Sequence, residues 1–233
     1  MPIEPISLSI AVGLGVLGAW LEREKIRDEF RDFWPKGNIF ILGPKGVGKT
    51  SLIAYLKGVP IPKFHIETGL NDKRGKVVKE VAAEKLRSGV IIDVGGDPTA
   101  EWAKNRMAIF GELKPHGVIV MLDTESVEKE RFAINELANI YATYKADKPK
   151  KASNLRTVLL LINKADEWVD GSSVSGESMI KKYRDEFKNE IEKLEKFSLE
   201  VQVGWGSLLV TDLYGKQTED TLARFARSIN GKG

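Results

Sequence analysis

The sequence contains no cysteine, so the chain forms no disulfide, thiolate nucleophile, zinc–thiolate site or lipid-modified cysteine. Residue 2 is Pro2 rather than glycine, which excludes N-myristoylation. The 36 basic and 33 acidic residues leave a net charge of only +3, and the basic residues are spread along the chain. No nucleic-acid partner is therefore predicted.

Charge is also missing from one long stretch near the start, residues 5–21, "PISLSIAVGLGVLGAWL". As a helix it would reach roughly 25 Å, slightly less than a hydrocarbon core of about 30 Å. Basic residues follow it and none precedes it, which predicts a single-pass membrane anchor with the rest of the chain facing the cytoplasm. The alternative is a buried helix of a soluble protein. Small residues every four positions predict a helix–helix partner in the membrane, or reflect only their general frequency there: Ser7, Ala11, Gly15 and Ala19.

The chain is therefore predicted to consist of an anchor with an amphipathic continuation, residues 1–36, and one domain, residues 37–233. From residue 38 onwards, short apolar runs alternate with longer amphipathic ones. Continuous Ile/Val/Leu runs are typical of strands buried on both faces of a parallel sheet. This pattern predicts a doubly wound α/β fold with a mostly parallel six-stranded sheet. Strands are expected at 38–42, 89–94, 117–122, 157–162 and 199–205, with an antiparallel strand at 76–82. Helices are expected at 49–57 and at about 99–111, 125–145, 177–196 and 217–230.

The stretch "GPKGVGKTS", residues 43–51, matches the phosphate-binding P-loop pattern and lies between a predicted strand and a predicted helix. Backbone N–H groups of such a loop surround a phosphate chain, and the following helix presents its positive N-terminus. Lys49 is expected to reach the β- and γ-phosphates and Thr50 to bind Mg²⁺. The alternative is a chance glycine-rich turn. The predicted nucleotide-binding residues here are Gly43, Pro44, Lys45, Gly46, Val47, Gly48, Lys49, Thr50 and Ser51.

Three further motifs follow predicted strands. In "DVGG", Asp93 is expected to hold Mg²⁺, and the Gly96 N–H to meet the γ-phosphate. In "NKAD", the Asp166 carboxylate would accept two hydrogen bonds from guanine that adenine does not offer, which predicts GTP rather than ATP. Around this carboxylate, Lys164 would pack along the base and Asn163 would brace the loops. In "GSLL", Ser207 and Leu208 are expected beside the guanine ring.

Together these motifs resemble small GTPases of the Ras superfamily, and "DVGG" with "LINKAD" resembles the Arf-like branch. The order of anchor and G domain also resembles the signal-recognition-particle receptor beta subunit. The resemblance implies a second Mg²⁺ ligand, for which Thr68 is the candidate, and catalytic roles for Lys49, Thr68, Gly96 and Asp97. It also implies two switch regions, residues 60–76 and 94–110, that contact an effector or regulator.

Asp97 departs from the family, which usually has a glutamine there to orient the attacking water. A carboxylate is shorter, donates no hydrogen bond when ionised and repels an anionic phosphate. The sequence therefore predicts a membrane-anchored, Mg²⁺- and GTP-dependent switch and GTPase with slow intrinsic hydrolysis. Two alternatives are a GTP-binding structural subunit of a membrane-associated complex that does not hydrolyse GTP, and an ATPase with a fortuitous "NKAD". Lys45, near the γ-phosphate in this resemblance, would pair with Asp97 or point to solvent.

Overall fold

The protein is built on a parallel sheet in the part of the chain that this computed structural model describes. That part comprises residues 38–56, 60–61, 91–93, 110–111, 114–147, 154–168, 173–209 and 213–229. Its five strands are β1 (Ile39–Leu42), β2 (Ile91–Asp93), β3 (Gly117–Leu122), β4 (Thr157–Ile162) and β5 (Glu200–Trp205). They lie in the order β2-β1-β3-β4-β5, and every neighbouring pair is parallel. The predicted parallel α/β sheet is confirmed, whereas the antiparallel strand at 76–82 falls outside the described residues.

Six helices connect or flank these strands within the same ranges. They are α1 (Lys49–Leu56), α2 (Val127–Asp147), α3 (Ala165–Trp168), α4 (Ser173–Glu186), α5 (Lys188–Glu195) and α6 (Leu213–Ile229). The single helix predicted at about 177–196 is in fact two, because Phe187 leaves the helical region with φ −102° and ψ 21°. Hydrogen bonds continue across the junction, from the Phe187 N–H to the Tyr183 carbonyl and from the Ile191 N–H to the Phe187 carbonyl, at 2.9 Å each.

Apolar side chains cover both faces of the sheet, as the continuous apolar runs predict. Phe40 and Leu42 of β1 face one layer, which contains side chains of α2, α4 and α5. Ile39 and Ile41 face the other layer, which contains Leu52 of α1 and side chains of α6. Successive residues of a strand point to opposite faces of the sheet. When both faces are buried, apolar side chains therefore occupy every position, and none is left for a polar residue. The polar residues are therefore displaced to the strand ends.

The predicted single-pass localisation has to be corrected. Within the described ranges, no helix has both the length and the apolar composition needed to cross a membrane. Residues 5–21, from which the anchor was predicted, fall outside those ranges, so the N-terminal helix and its helix–helix partner gain no support. The division between residues 1–36 and 37–233 stays a prediction.

Candidate nucleotide-binding site

Four loops meet at the carboxyl edge of the sheet, after β1, β3, β4 and β5. The Asn163 N–H, just after β4, donates to the Leu122 carbonyl at the end of β3 at 2.8 Å. The Ala165 N–H donates to the Gly206 carbonyl just after β5 at 3.0 Å. These backbone bonds tie the "NKAD" loop to both neighbouring strand ends. Ligands of open α/β sheets bind at such an edge, and this one carries three of the four predicted motifs and Asp93, the first residue of the fourth.

The loop between β1 and α1 holds a buried cation. The Lys49 ammonium donates to the Gly43 carbonyl at 3.0 Å and to the Pro44 carbonyl at 2.7 Å, and Lys49 is only 7% exposed. These two bonds orient the ammonium at the loop. Lys49 is also the first residue of α1, where N–H groups without helical partners point towards the loop. The arrangement suits an anion held in the loop.

The P-loop is joined to the "NKAD" loop by a buried side chain. The Asn163 side-chain amide donates to the Val47 carbonyl at 3.0 Å. Asn163 is 6% exposed, so this bond lies in the protein interior and not in competing water. The bond fixes the distance between a loop that suits phosphate and a loop that suits a base. Bracing of this kind is what the sequence predicts for Asn163.

Gly48 leaves room for this amide, and Gly46 offers a matched control, since both residues have φ +92°. A Cβ on Gly48 would lie 2.6 Å from the Asn163 amide nitrogen, whereas a Cβ on Gly46 would meet nothing within 4 Å. We expect Gly46→Ala to lower the free energy of unfolding by about 1 kcal/mol through backbone strain alone. Gly48→Ala should cost about 2 kcal/mol more, because it displaces a buried hydrogen bond. Urea unfolding of both variants tests this, and equal losses would show that the Asn163 contact contributes nothing.

The residues predicted to recognise the base lie on an unusual piece of backbone. Lys164 has φ +58°, in the left-handed region that few non-glycine residues occupy. Its ammonium pairs with Asp123 at 3.2 Å and with Glu125 at 2.8 Å. Asp166 follows in the first turn of α3, and its side chain is exposed at this edge of the sheet. The exposed carboxylate is open to a ligand, as recognition of a base requires.

The "GSLL" loop is held by hydrogen bonds from α6 and within the loop itself. Ser207 and Leu208 are buried, at 2% and 5% exposure. The Ser207 carbonyl accepts a hydrogen bond from the Thr218 hydroxyl of α6 at 3.1 Å, and the Ser207 hydroxyl accepts one from the Leu209 N–H at 3.3 Å. In this structure the Ser207 hydroxyl therefore bonds to its own loop. The predicted contact of Ser207 and Leu208 with guanine stays a prediction.

The predicted Mg²⁺ ligands are only partly described. Thr50 is the second residue of α1, half-buried beside the P-loop. Asp93 ends β2 and pairs in register with Ile41, two residues before the P-loop begins. The backbone thus brings Asp93 to the sheet edge where Thr50 lies, and hydroxyl and carboxylate oxygens are ligands that Mg²⁺ accepts. Thr68, Gly96 and Asp97 lie outside the described residues.

Three residues of the site were not foreseen. Asp123 and Glu125 follow β3, and the Trp168 indole N–H donates to the Asn163 carbonyl at 3.0 Å. The signal for Asp123 was available, because it is the first polar residue after the apolar run "GVIVML", just as Asp93 and Asn163 follow theirs. No comparable signal announces Trp168, whose contact depends on the short helix α3.

These features define the class: an α/β protein with a P-loop after its first described strand and a second loop bonded to it. No protein-family model matches the chain, and no curated protein matches it. Several solved structures of other proteins do match the chain in fold. The Arf-like GTPase Sar1 from Encephalitozoon cuniculi, in complex with GDP, is 18% identical with a TM-score of 0.52, covering 96% of each chain. The signal recognition particle receptor SRb-GDP from Chaetomium thermophilum is 16% identical, with a TM-score of 0.49, over 82% of this chain and 98% of that one. The chain thus shares its overall fold with the Sar1 structure.

Proposed function

We propose that the chain binds GTP and GDP with Mg²⁺ and works as a molecular switch with slow intrinsic GTP hydrolysis. The observation that carries this proposal is the buried bond between Asn163 and Val47, which holds a phosphate-type loop and a guanine-type loop in one site. The similar Sar1 structure is a complex with GDP, which supports a guanine nucleotide as the ligand.

The phosphate end of the nucleotide would be held by main-chain groups and one cation. The N–H groups of residues 45–50, at the loop and the N-terminus of α1, would bind the phosphate oxygens. The Lys49 ammonium, already held at the loop by the Gly43 and Pro44 carbonyls, would turn to the β- and γ-phosphates. Thr50 and Asp93 would hold Mg²⁺. When bound, this ion neutralises negative charge on the phosphates while the γ-phosphoryl group is transferred to water.

The base end would be read by Asp166. Its exposed carboxylate would accept hydrogen bonds from the guanine N1–H and 2-amino group, and adenine supplies neither donor. Titration calorimetry of the full chain with Mg²⁺ and either GTP or ATP tests this directly. We expect GTP to bind at least roughly 100-fold more tightly than ATP. Equal affinity would favour the ATPase alternative, and no binding of either nucleotide would refute the proposal.

Slow hydrolysis is proposed because Asp97 stands where the resembling GTPases usually have a glutamine. A single-turnover assay on the GTP-loaded protein tests this. We expect Asp97→Gln to raise the rate roughly tenfold or more, because a neutral and longer side chain can orient the attacking water. Asp97→Asn is the matched control, since it removes the charge without adding length. An unchanged or lower rate in the glutamine variant would refute a rate-limiting role for Asp97.

The second candidate function is a structural one, in which GTP is bound and not turned over. Asp97 in place of glutamine is the feature that favours it. Phosphate release per bound nucleotide separates the two functions, since a switch releases one equivalent while a structural subunit releases none.

If the chain works as a switch, we propose that residues 60–76 and 94–110 contact an effector or regulator. Their conformation would depend on whether the γ-phosphate is present.

A further inference from the structure

The turn after β3, residues 123–125, holds the ammonium of Lys164 between two carboxylates, and we call it the acidic turn. Asp123 lies 3.2 Å and Glu125 2.8 Å from the Lys164 nitrogen. The Asp123 side chain is only 5% exposed, whereas that of Glu125 is 64% exposed. An exposed ion pair contributes little, because water and salt screen it, while a buried partner is screened much less. Asp123 is therefore the stronger anchor of the two.

The acidic turn is itself held in place from within the core. Glu130 of α2, fully buried, accepts hydrogen bonds from the Asp123 N–H at 3.0 Å and the Thr124 N–H at 2.7 Å. The Tyr183 hydroxyl of α4 donates to the same carboxylate at 2.9 Å. Burial raises the pKa of Glu130, while these donors favour its ionised form and oppose the shift. A buried acid with three donors is a rigid support for the turn.

The residue held by this turn has a strained backbone, as does Thr124 within the turn, with φ +67°. Lys164 has φ +58°, a conformation that persists only where its surroundings enforce it. Partial burial disfavours the charged form of its ammonium, yet the bonds to Glu125 and Asp123 raise the pKa of Lys164 overall. The carboxylates thus keep the cation charged and fixed. Its aliphatic stem must then run from the strained backbone to the acidic turn, across the edge where a base would lie.

We propose that Asp123, supported by Glu130, is a positioning residue that fixes Lys164 for guanine binding and so lengthens the time for which a guanine nucleotide stays bound. This inference rests on the proposed function and adds a residue to its base-binding end. Asp123 needs no contact with the nucleotide to act in this way. Its effect must pass through Lys164, which makes it testable.

The experiment is a double-mutant cycle on nucleotide release from the full chain. Fluorescently labelled GDP is loaded with Mg²⁺ and chased with excess unlabelled GDP. We expect Asp123→Asn to release the label roughly tenfold faster than wild type, because affinity differences among variants of one binding site lie mainly in the dissociation rate. In a Lys164→Met background, the same substitution should change the rate less than about twofold, since the group it acts on is gone. Glu125→Gln removes the exposed carboxylate of the same turn and should speed release less than about threefold, because an exposed ion pair is screened by water and salt.

The outcomes separate this inference from the function on which it rests. If wild type binds the labelled GDP tightly but Asp123→Asn speeds release equally in both backgrounds, Asp123 acts on the fold and the inference is overturned. An Asp123→Asn variant with the wild-type release rate overturns it as well. In both cases guanine nucleotide binding stands. Only a wild-type chain that fails to bind the labelled GDP would remove both proposals.

Discussion

Replacement of Lys49 with methionine is expected to weaken GTP binding by roughly 100- to 1000-fold. The ammonium would be lost while the apolar stem, which fills the same buried space, is kept. Hydrogen bonds to charged groups are each worth about 1.5–3 kcal/mol, and Lys49 would make such bonds to two phosphates. Because the ammonium already lies between the Gly43 and Pro44 carbonyls, little ordering is needed when the nucleotide arrives. Calorimetry with GTP and Mg²⁺ measures the loss.

The control for this experiment is Lys188→Met, which removes a lysine of the same charge from the exposed start of α5. It should leave the GTP affinity within about twofold, because this exposed charge lies on a helix of the layer opposite α1 and is screened by salt. Thermal unfolding without nucleotide shows whether the Lys49 variant still folds, and addition of GTP should then raise the midpoint for wild type and Lys188→Met alone. A Lys49→Met variant that keeps wild-type affinity would contradict the assignment of the loop to phosphate.

The strands and the P-loop could be predicted because both are local features of the sequence. A strand buried on both faces needs four to six consecutive apolar residues, and β1, β3 and β4 show this directly. The P-loop needs glycine, lysine and threonine at fixed spacings, because main-chain N–H groups rather than distant side chains form it. Local patterns of this kind depend on no other part of the chain.

The remaining contacts depend on residues far apart in the sequence. The ion pair between Lys164 and Asp123 joins two separate loops, and apolar periodicity carries no information about side-chain partners. The break at Phe187 has a similar origin, since its side chain is buried at 1% exposure and the Arg131 guanidinium of α2 lies over its ring, 5.7 Å from the ring centroid. Tertiary packing rather than helix propensity determines the backbone there.

The second large effect is expected at Asp166. Asp166→Asn should weaken GTP binding by roughly 100- to 1000-fold and create binding of xanthosine triphosphate. Guanine presents two donors to this position, N1–H and the 2-amino group, and a carboxylate accepts from both. An asparagine amide has one acceptor and one donor group, so one guanine donor would face another donor. Xanthine has a carbonyl in place of the 2-amino group, and its N1–H and carbonyl match the amide.

Glu167→Gln is the matched control, because Glu167 is the next exposed carboxylate in the same first turn of α3. This variant removes a charge from that turn and keeps the Asp166 carboxylate. Its GTP affinity should stay within about twofold of wild type, because exposed charges there are screened. Competition of xanthosine triphosphate against labelled GDP measures the change of nucleotide specificity in wild type, Asp166→Asn and Glu167→Gln. The reversal requires that Asp166 itself contacts the base, because a general weakening of the loop would lower the affinity for both nucleotides. An Asp166→Asn variant that still prefers GTP over xanthosine triphosphate would therefore place guanine recognition elsewhere in the chain.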